Sequence, residues 1–177
     1  MAVFLIRHDK TTANGICYGQ TDLDADVAYI ESAQKVMAQL PAKPAHVYSS
    51  PLNRCAKLAH SCYPNQNILF QPELMEVNFG AWEGKPWQQI ERAEINRWAQ
   101  SPTDFQFPNG EHLLAFQQRV EAIYSHVITL PEDTCVFTHA GVIRLMQALH
   151  AGEPWQDWLQ RTVPFASVSR LKNNRLS

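Results

Sequence analysis

The stretch Val3-Phe4-Leu5-Ile6-Arg7-His8 decides the fold, because an apolar run rich in β-branched and aromatic residues ends there on two polar side chains. A second run, Cys135-Val136-Phe137, ends in the same way on Thr138-His139-Ala140-Gly141. Short apolar runs of this kind are typical of buried parallel strands. Ligands of open α/β sheets bind outside the carboxyl ends of the strands. The sequence therefore predicts that Arg7, His8 and His139 meet in one crevice.

Candidate strands alternate with helical patterns along the chain. Strands are predicted at residues 2–7, 46–49, 68–70, 135–137 and 168–171. Helices are predicted at about 27–40, 51–62, 86–100, 111–130 and 142–149, the last of them ended by Gly152 and Pro154. This order predicts an α/β fold with three layers, α/β/α, around a mostly parallel central sheet.

Length and composition limit the class of protein. A chain of 177 residues with 45% hydrophobic content is expected to form a single domain over 1–177, with a helical excursion at about 80–110. The formal charge of −2, without a dense run of Lys or Arg, argues against a nucleic-acid partner. No stretch approaches the ~20 apolar residues of a membrane span, so we expect a cytoplasmic protein without a membrane partner.

The four cysteines, Cys17, Cys55, Cys62 and Cys135, show no C-x-x-C spacing. A disulfide scaffold and a structural zinc site are both poor explanations for them, and buried reduced thiols are expected instead. No metal and no cofactor are predicted.

Arg54 is predicted in the first turn of a helix that begins with Pro51 at its first position and Ser50 as its cap. A positive charge is disfavoured there by the helix dipole, which suggests that Arg54 has a task. Its guanidinium group has a geometry suited to phosphate or carboxylate. Together with Arg7, it is expected to surround one anion.

Glu76 precedes the aromatic and glycine-containing loop Phe79-Gly80-Ala81-Trp82-Glu83-Gly84. Taken alone it is typical of a solvated loop acid, but this loop could exclude water and let the carboxyl hold a proton. Glu83 is a competing candidate of lower rank. The segment from Gly80 to Lys85 is not a P-loop, because its glycines are too close together and Pro86 replaces the required hydroxyl residue.

These motifs together resemble the histidine phosphatase superfamily, also called the phosphoglycerate mutase-like family, whose signature begins Arg-His-Gly near the N-terminus. The similarity runs through nearly the whole chain. It includes Arg7 to Thr11 with Asn14 following, 18–22, 48–54, 74–84, 108–111, 138–141 and 167–169. Several separate motifs in the right order are more specific than any one of them.

The resemblance implies a phosphomonoesterase that works through a phosphohistidine and needs neither metal nor cofactor. The implied catalytic residues are His8 as the nucleophile, Glu76 as the proton donor and His139. The implied phosphate-binding residues are Arg7, Arg54, His139 and Asn14. A neutral imidazole is nucleophilic, and nearby cations favour that neutral state and stabilise the transferring phosphoryl group.

Within the superfamily the chain is most similar to the alpha-ribazole phosphatases, which remove the 5′-phosphate of a benzimidazole ribonucleotide in cobalamin biosynthesis. An apolar wall for such a base could come from aromatic residues, namely Phe79, Trp82, Trp87, Phe105 and Phe107. A general phosphatase or a phosphoglycerate mutase-type enzyme is the alternative. The expected partner is a small phosphomonoester, and both a monomer and a homodimer remain open.

The chain departs from the family pattern beside its predicted nucleophile. Asp9 and Lys10 replace the usual Gly and Glu or Gln, and residues 27–30 lack the usual glycine turn. A carboxylate at Asp9 would repel substrate phosphate and raise the pKa of His8, unless it points away or pairs with Lys10. A non-catalytic phosphate-binding or scaffold protein is therefore the rival hypothesis from another class.

Overall fold

A computed structural model describes residues 1–172 of the chain. The strands are β1 (Ala2–Arg7), β2 (His46–Ser49), β3 (Ile68–Phe70), β4 (Thr134–Thr138) and β5 (Val168–Lys172). The α-helices are α1 (Tyr29–Met37), α2 (Asn53–Cys62), α3 (Arg92–Gln100), α4 (Leu113–Val127) and α5 (Ala140–Ala151). Single turns of 3-10 helix occur at Pro72–Leu74, Gly80–Trp82, Trp87–Gln89 and Trp155–Trp158.

The strands form one sheet of five in the order β3-β2-β4-β1-β5. The pairs β1 with β4, β4 with β2, and β2 with β3 are parallel, and β5 runs antiparallel beside β1. The helices between parallel strands serve as crossover connections, which such strands require. The α/β fold with a mostly parallel central sheet is therefore confirmed.

Two apolar clusters cover the two faces of the sheet, because successive side chains of a strand point to opposite sides. Val3 and Leu5 of β1 lie in the cluster that includes buried residues of α4 and α5. Phe4 and Ile6 of the same strand lie in the cluster that includes α1 and α2. The helices thus form a layer on each side of the sheet, as the sequence predicts.

Two of the predicted helices are wrong in detail. Residues 86–100 do not form one helix, because the backbone is extended at Ile90 and Glu91 between the turn at Trp87–Gln89 and α3. This break buries Ile90 while Trp87 stays partly exposed.

The helix predicted from Pro51 begins instead at Asn53. Leu52 occupies the cap position and makes no side-chain cap hydrogen bond. Ser50 is therefore not the cap of α2, and its hydroxyl contacts His139 instead.

The remaining helices match their predicted positions, with shorter ends. The pattern at 27–40 forms α1 over nine residues, and the pattern at 111–130 forms α4 over fifteen. Gly152 ends α5 in the left-handed conformation, at a φ of 68°. Across residues 1–172, none of the helices is both long and apolar enough to cross a bilayer.

Phe137 of β4 gives a test of the cluster between the sheet and α2. Its side chain is 0% exposed and its ring centroid lies 6.2 Å from that of Tyr63. We expect Phe137→Ala to lower the free energy of unfolding by about 3–5 kcal/mol, because the cavity left behind cannot collapse fully. Urea denaturation followed by circular dichroism measures this change.

Phe70 of the edge strand β3 is the matched control, because its side chain is 44% exposed. Phe70→Ala is expected to change the free energy of unfolding by no more than about 1 kcal/mol. Equal losses for the two variants would contradict the assignment of Phe137 to the core.

Candidate active site

The parallel register of β1 and β4 brings the two predicted histidines together. Arg7 pairs with Thr138, so the next residues of the two strands, His8 and His139, leave the sheet side by side. Their ring centroids lie 5.1 Å apart in an edge-to-face arrangement. Both side chains are buried. The crevice predicted outside the carboxyl ends of the strands is therefore present.

A pocket of about 190 Å³ opens beside the two rings. Its polar lining is formed by Arg7, His8, Arg54, Glu76 and His139. Its apolar lining is formed by Ile16, Tyr18, Phe79 and Trp87. The pocket thus has a cationic and imidazole-containing part next to an aromatic wall.

The tautomer of His8 follows from one hydrogen bond. Its Nδ1 lies 2.7 Å from the backbone carbonyl oxygen of Asp9. A carbonyl can only accept, so Nδ1 carries the hydrogen and Nε2 keeps its lone pair. Burial, with the positive charges of Arg54 and Arg7, lowers the pKa of His8 to about 3, although the Asp9 carbonyl opposes this shift. His8 is therefore a neutral imidazole near pH 7.

His139 occupies the position immediately before α5. Its Nε2 lies 2.9 Å from the Ser50 hydroxyl and 3.5 Å from the Cys55 thiol. Burial, reinforced by the charge of Arg54, holds the pKa of His139 well below its usual range. A neutral imidazole still has one N–H donor, so His139 can donate to an anion without carrying a charge itself.

Arg7 and Arg54 both line the pocket, and backbone carbonyls accept hydrogen bonds from their guanidinium groups. The Arg54 terminal nitrogens donate to the carbonyls of Gly19, at 2.5 Å, and Thr21, at 3.0 Å. Arg7 donates to the carbonyl of Val163. The Nε atoms of both arginines are buried and make no hydrogen bond. The two guanidinium groups thus bring positive charge to the pocket lining, which favours an anion there.

A phenyl ring outside the pocket lining fixes the guanidinium plane of Arg7. The guanidinium carbon of Arg7 lies 3.7 Å from the ring centroid of Phe165. The same ring lies 5.9 Å from that of His8. Phe165 therefore packs against both groups from the loop that leads into β5.

Glu76 is fixed against the start of α5. Its two carboxylate oxygens accept hydrogen bonds from the backbone N–H groups of Val77, at 3.1 Å, and Gly141, at 3.0 Å. A Cβ atom at Gly141 would lie 2.2 Å from the Glu76 carboxylate, so only glycine leaves room for it there. The sequence predicts that the loop from Phe79 to Gly84 covers Glu76; of its aromatic residues, Phe79 shares the pocket with Glu76, whereas Trp82 lies in the core.

Arg119 of α4 anchors the segment that carries Glu76. Its guanidinium group donates to the carbonyls of Glu73, Met75 and Glu76 and also pairs with the carboxylate of Glu111. The sequence analysis did not identify Arg119. Backbone carbonyls occur at every residue, so no sequence signal marks such a contact.

Glu83, the lower-ranked acid, lies outside the pocket lining. Its carboxylate accepts hydrogen bonds from the backbone N–H groups of Gln20, Thr21 and Phe79. Burial opposes ionisation, but these bonds and the one from the Thr21 hydroxyl hold the pKa of Glu83 below its usual value. Glu83 therefore fixes the loop whose carbonyls bind Arg54.

Asn14 differs from the other predicted site residues in its position. It is exposed and does not belong to the pocket lining. Its part in phosphate binding remains a prediction.

The aromatic wall contains only part of the predicted set. Phe79 and Trp87 line the pocket, with ring centroids 6.0 Å apart. Trp82, Phe105 and Phe107 are instead buried in the apolar core. The sequence analysis missed Ile16 and Tyr18 as lining residues, although the family resemblance of 18–22 marked the segment that holds Tyr18.

In the part of the chain that the structure describes, residues 1–172, no group of three or more His, Cys, Asp and Glu side chains is arranged to hold a metal ion.

Comparison with known proteins agrees with this geometry. The model of the histidine phosphatase superfamily (branch 1) matches residues 3–175. The adenosylcobalamin/alpha-ribazole phosphatase of Escherichia coli K12 is 28% identical over 169 residues, which cover 87% of this chain and 81% of the relative.

Solved structures with the same fold cover nearly the whole chain. The crystal structure of a putative alpha-ribazole-5′-P phosphatase from Escherichia coli K-12 has a TM-score of 0.84 at 27% identity, covering 96% of this chain and 89% of that one. The phosphoglycerate mutase from Thermus thermophilus has a TM-score of 0.74 at 30% identity, covering 96% and 92%.

The low pKa of His8 predicts a loss of stability in acid. Below about pH 6.5 the unfolded chain binds a proton at this histidine, whereas the folded chain does not until about pH 3. Stability must therefore fall as the pH is lowered, by up to about 1.4 kcal/mol per pH unit for each such histidine. Urea denaturation at about pH 7, 6 and 5 measures the slope.

The variant His8→Asn removes one of these histidines and is the matched comparison. We expect its stability to fall less steeply between about pH 6 and pH 5 than that of the wild type, because only His139 then contributes this effect. Equal slopes would show that His8 titrates normally in the folded protein.

Proposed function

The chain belongs to the histidine phosphatase superfamily (branch 1) and is a phosphatase, and we propose that His8 is the residue that takes the phosphoryl group from its substrate. One observation carries this proposal. A neutral imidazole with its Nδ1 hydrogen held by the Asp9 carbonyl shares a pocket with the buried Arg54 and the partly buried Arg7. That arrangement provides a nucleophile and an anion-binding site at one point.

In the first step, Nε2 of His8 attacks the phosphorus atom and the ester P–O bond breaks. Arg7, Arg54 and His139 donate to the non-bridging oxygens, and these donors are already in place before the reaction. Because His8 is neutral, it needs no base to activate it. Asn14, which lies outside the pocket lining, is proposed as a further donor.

Glu76 supplies the proton that the departing alkoxide needs. It lines the same pocket and its position is fixed by Val77, Gly141 and the anchored segment behind it. In the second step its carboxylate accepts a proton from the water that attacks phosphohistidine, which releases inorganic phosphate and regenerates neutral His8. The residues invoked for both steps are side chains of this chain.

The aromatic wall supports a substrate with a flat, apolar leaving group. Tyr18, Phe79 and Trp87 line the same pocket as the cationic groups, the Tyr18 ring lies 5.2 Å from the guanidinium carbon of Arg54, and Trp87 is 39% exposed. An aromatic base can pack on such rings while its phosphate reaches His8. We therefore propose alpha-ribazole 5′-phosphate as the substrate, in cobalamin biosynthesis, in line with the activity for which the Escherichia coli relative is named.

A mutase or a general phosphatase is the second candidate, favoured by the similarity to the Thermus thermophilus phosphoglycerate mutase. A phosphoglycerate carries a carboxylate, which would need a further cation near the pocket. Lys85, Arg92 and Arg97 are exposed and lie outside the pocket lining. This distribution of charge favours the neutral, aromatic leaving group.

The setting of the enzyme belongs to the same proposal. We propose a cytoplasmic location, in keeping with four cysteines that are all buried free thiols. A small phosphomonoester is the partner that the pocket supports, with the protein as a monomer or a homodimer.

Trapping the covalent intermediate tests the role of His8. Brief reaction with an activated aryl phosphate labelled in its phosphoryl group should give an acid-labile, base-stable adduct on the wild type and none on His8→Ala. Glu76→Gln should accumulate more adduct than the wild type, because an activated leaving group departs without an acid while hydrolysis lacks its base. Its turnover should fall roughly 10²-fold or more.

The folded state of each variant is checked by circular dichroism and thermal unfolding. Absence of label on the folded wild type across several phosphomonoesters would favour the rival hypothesis of a non-catalytic phosphate-binding protein. Label that persists on His8→Ala would assign the nucleophile to another residue.

Trp87 provides a test of the proposed substrate class. Trp87→Ala should raise KM for alpha-ribazole 5′-phosphate roughly 10-fold, because the base loses a ring to pack on. KM for phosphoserine, which has no aromatic group, should change less than about 2-fold. Steady-state release of inorganic phosphate measures both, and equal effects on the two substrates would exclude Trp87 as a determinant of specificity.

A further inference from the structure

Asp9, the residue that follows the nucleophile, has two separate contacts. Its backbone carbonyl accepts the Nδ1 hydrogen of His8 at 2.7 Å. Its side chain is buried, with 6% of the residue exposed, and is directed to a different group of donors. The position of this carboxylate therefore bears on the position of the carbonyl that orients His8.

The donors to the Asp9 carboxylate come mainly from α1. One oxygen accepts from the Ser32 hydroxyl at 2.8 Å and from Lys35 Nζ at 2.9 Å. The other accepts from the backbone N–H of Lys10 at 2.7 Å. The cation that pairs with Asp9 is thus Lys35, and not the Lys10 side chain that the sequence suggested.

These contacts keep Asp9 ionised. Burial opposes ionisation, but the hydrogen bonds from Lys35, the Lys10 backbone and Ser32 outweigh it and hold the pKa of Asp9 below its usual value. A buried carboxylate in this position would attract a proton to His8 and repel a phosphate dianion. The ammonium group of Lys35 offsets that charge at close range.

The other charged or titratable groups around His8 come from several elements. They are Arg7 on β1, Arg54 on α2, His139 before α5, Glu76 in the segment anchored by α4, and Tyr18 in the loop after β1. Arg54 and Arg7 disfavour a proton on His8, whereas Asp9 favours one. Lys35 acts on this balance through Asp9, without lining the pocket itself.

We infer that Lys35 and Asp9 form a positioning pair for the nucleophile: Lys35 of α1 neutralises and holds the Asp9 carboxylate, so that the Asp9 carbonyl orients His8 without a net negative charge beside the phosphate site. The pair deepens the proposed function and rests on it for the role of His8. It explains how this chain tolerates a carboxylate directly after its predicted nucleophile. Another ion pair, Lys57 with Asp24, lies outside the pocket lining.

The test uses binding of inorganic phosphate at low ionic strength, measured by isothermal titration calorimetry. Lys35→Met should raise the Kd roughly 5- to 10-fold, because the Asp9 charge is then uncompensated. Lys35→Arg should bind like the wild type. The double variant Asp9→Asn with Lys35→Met should also recover wild-type affinity, because it removes the charge while keeping the shape of the side chain.

Lys57→Met is the matched control. Lys57 Nζ lies 2.7 Å from the Asp24 carboxylate, which also accepts from the Tyr29 hydroxyl, so the control removes a similar lysine from a similar carboxylate. Side chains of this second pair are about half exposed, at 47% and 53%. The Kd of Lys57→Met for phosphate should stay within about 2-fold of the wild-type value.

A second readout reports on His8 directly. In nuclear magnetic resonance titrations, Lys35→Met should raise the pKa of His8 by roughly one unit, and the double variant should reverse that shift. A double variant that binds phosphate as weakly as Lys35→Met, with an unchanged His8 titration, would overturn the inference and leave Lys35 as a structural contact of α1.

Neither readout requires turnover, so the two proposals fail in different ways. Absence of a phosphohistidine adduct on the wild type would remove the role of His8 in catalysis, while the titration of His8 in the three variants would still decide whether the pair acts on it. If the double variant reverses the pKa shift of His8 caused by Lys35→Met, the positioning pair is supported. If it does not, the positioning pair is contradicted.

Discussion

The parallel pairing of β1 with β4 is the constraint on which the rest of the site depends. It places Arg7 opposite Thr138 and so sets His8 and His139 side by side where the two strands end. Every other site residue is arranged around this pair. A shift of the register by one residue would turn each strand residue to the opposite face, so both apolar clusters hold the register.

Electrostatics and burial act against each other in this pocket. Arg54 is buried and Arg7 is partly buried, the Nε atoms of both make no hydrogen bond, and two histidines are kept neutral by burial and by those cations. Both features cost stability, because buried polar groups are otherwise paired. Such costs are typical of sites whose groups are held ready for a ligand. In the proposed function, that ligand is a phosphate ester.

Residues outside the pocket determine its shape. Arg119 holds the segment of Glu76 through backbone carbonyls, Glu83 holds the loop whose carbonyls bind Arg54, and Lys35 holds Asp9. These contacts hold the site from outside the pocket lining. They also show that helices on both sides of the sheet contribute, since Lys35 is on α1 and Arg119 is on α4.

The strands, the order of elements, the parallel sheet and the meeting of Arg7, Arg54 and the two histidines could be predicted from the sequence, and the family resemblance placed Glu76 with them. Strand ends and apolar periodicity are local properties, so they can be read along the chain. The aromatic residues that face the pocket, the first residue of α2 and the cation that neutralises Asp9 follow only from the folded chain. Those outcomes depend on contacts between residues far apart in the chain, such as Arg119 with the carbonyl of Glu76, and nothing in the local pattern specifies them.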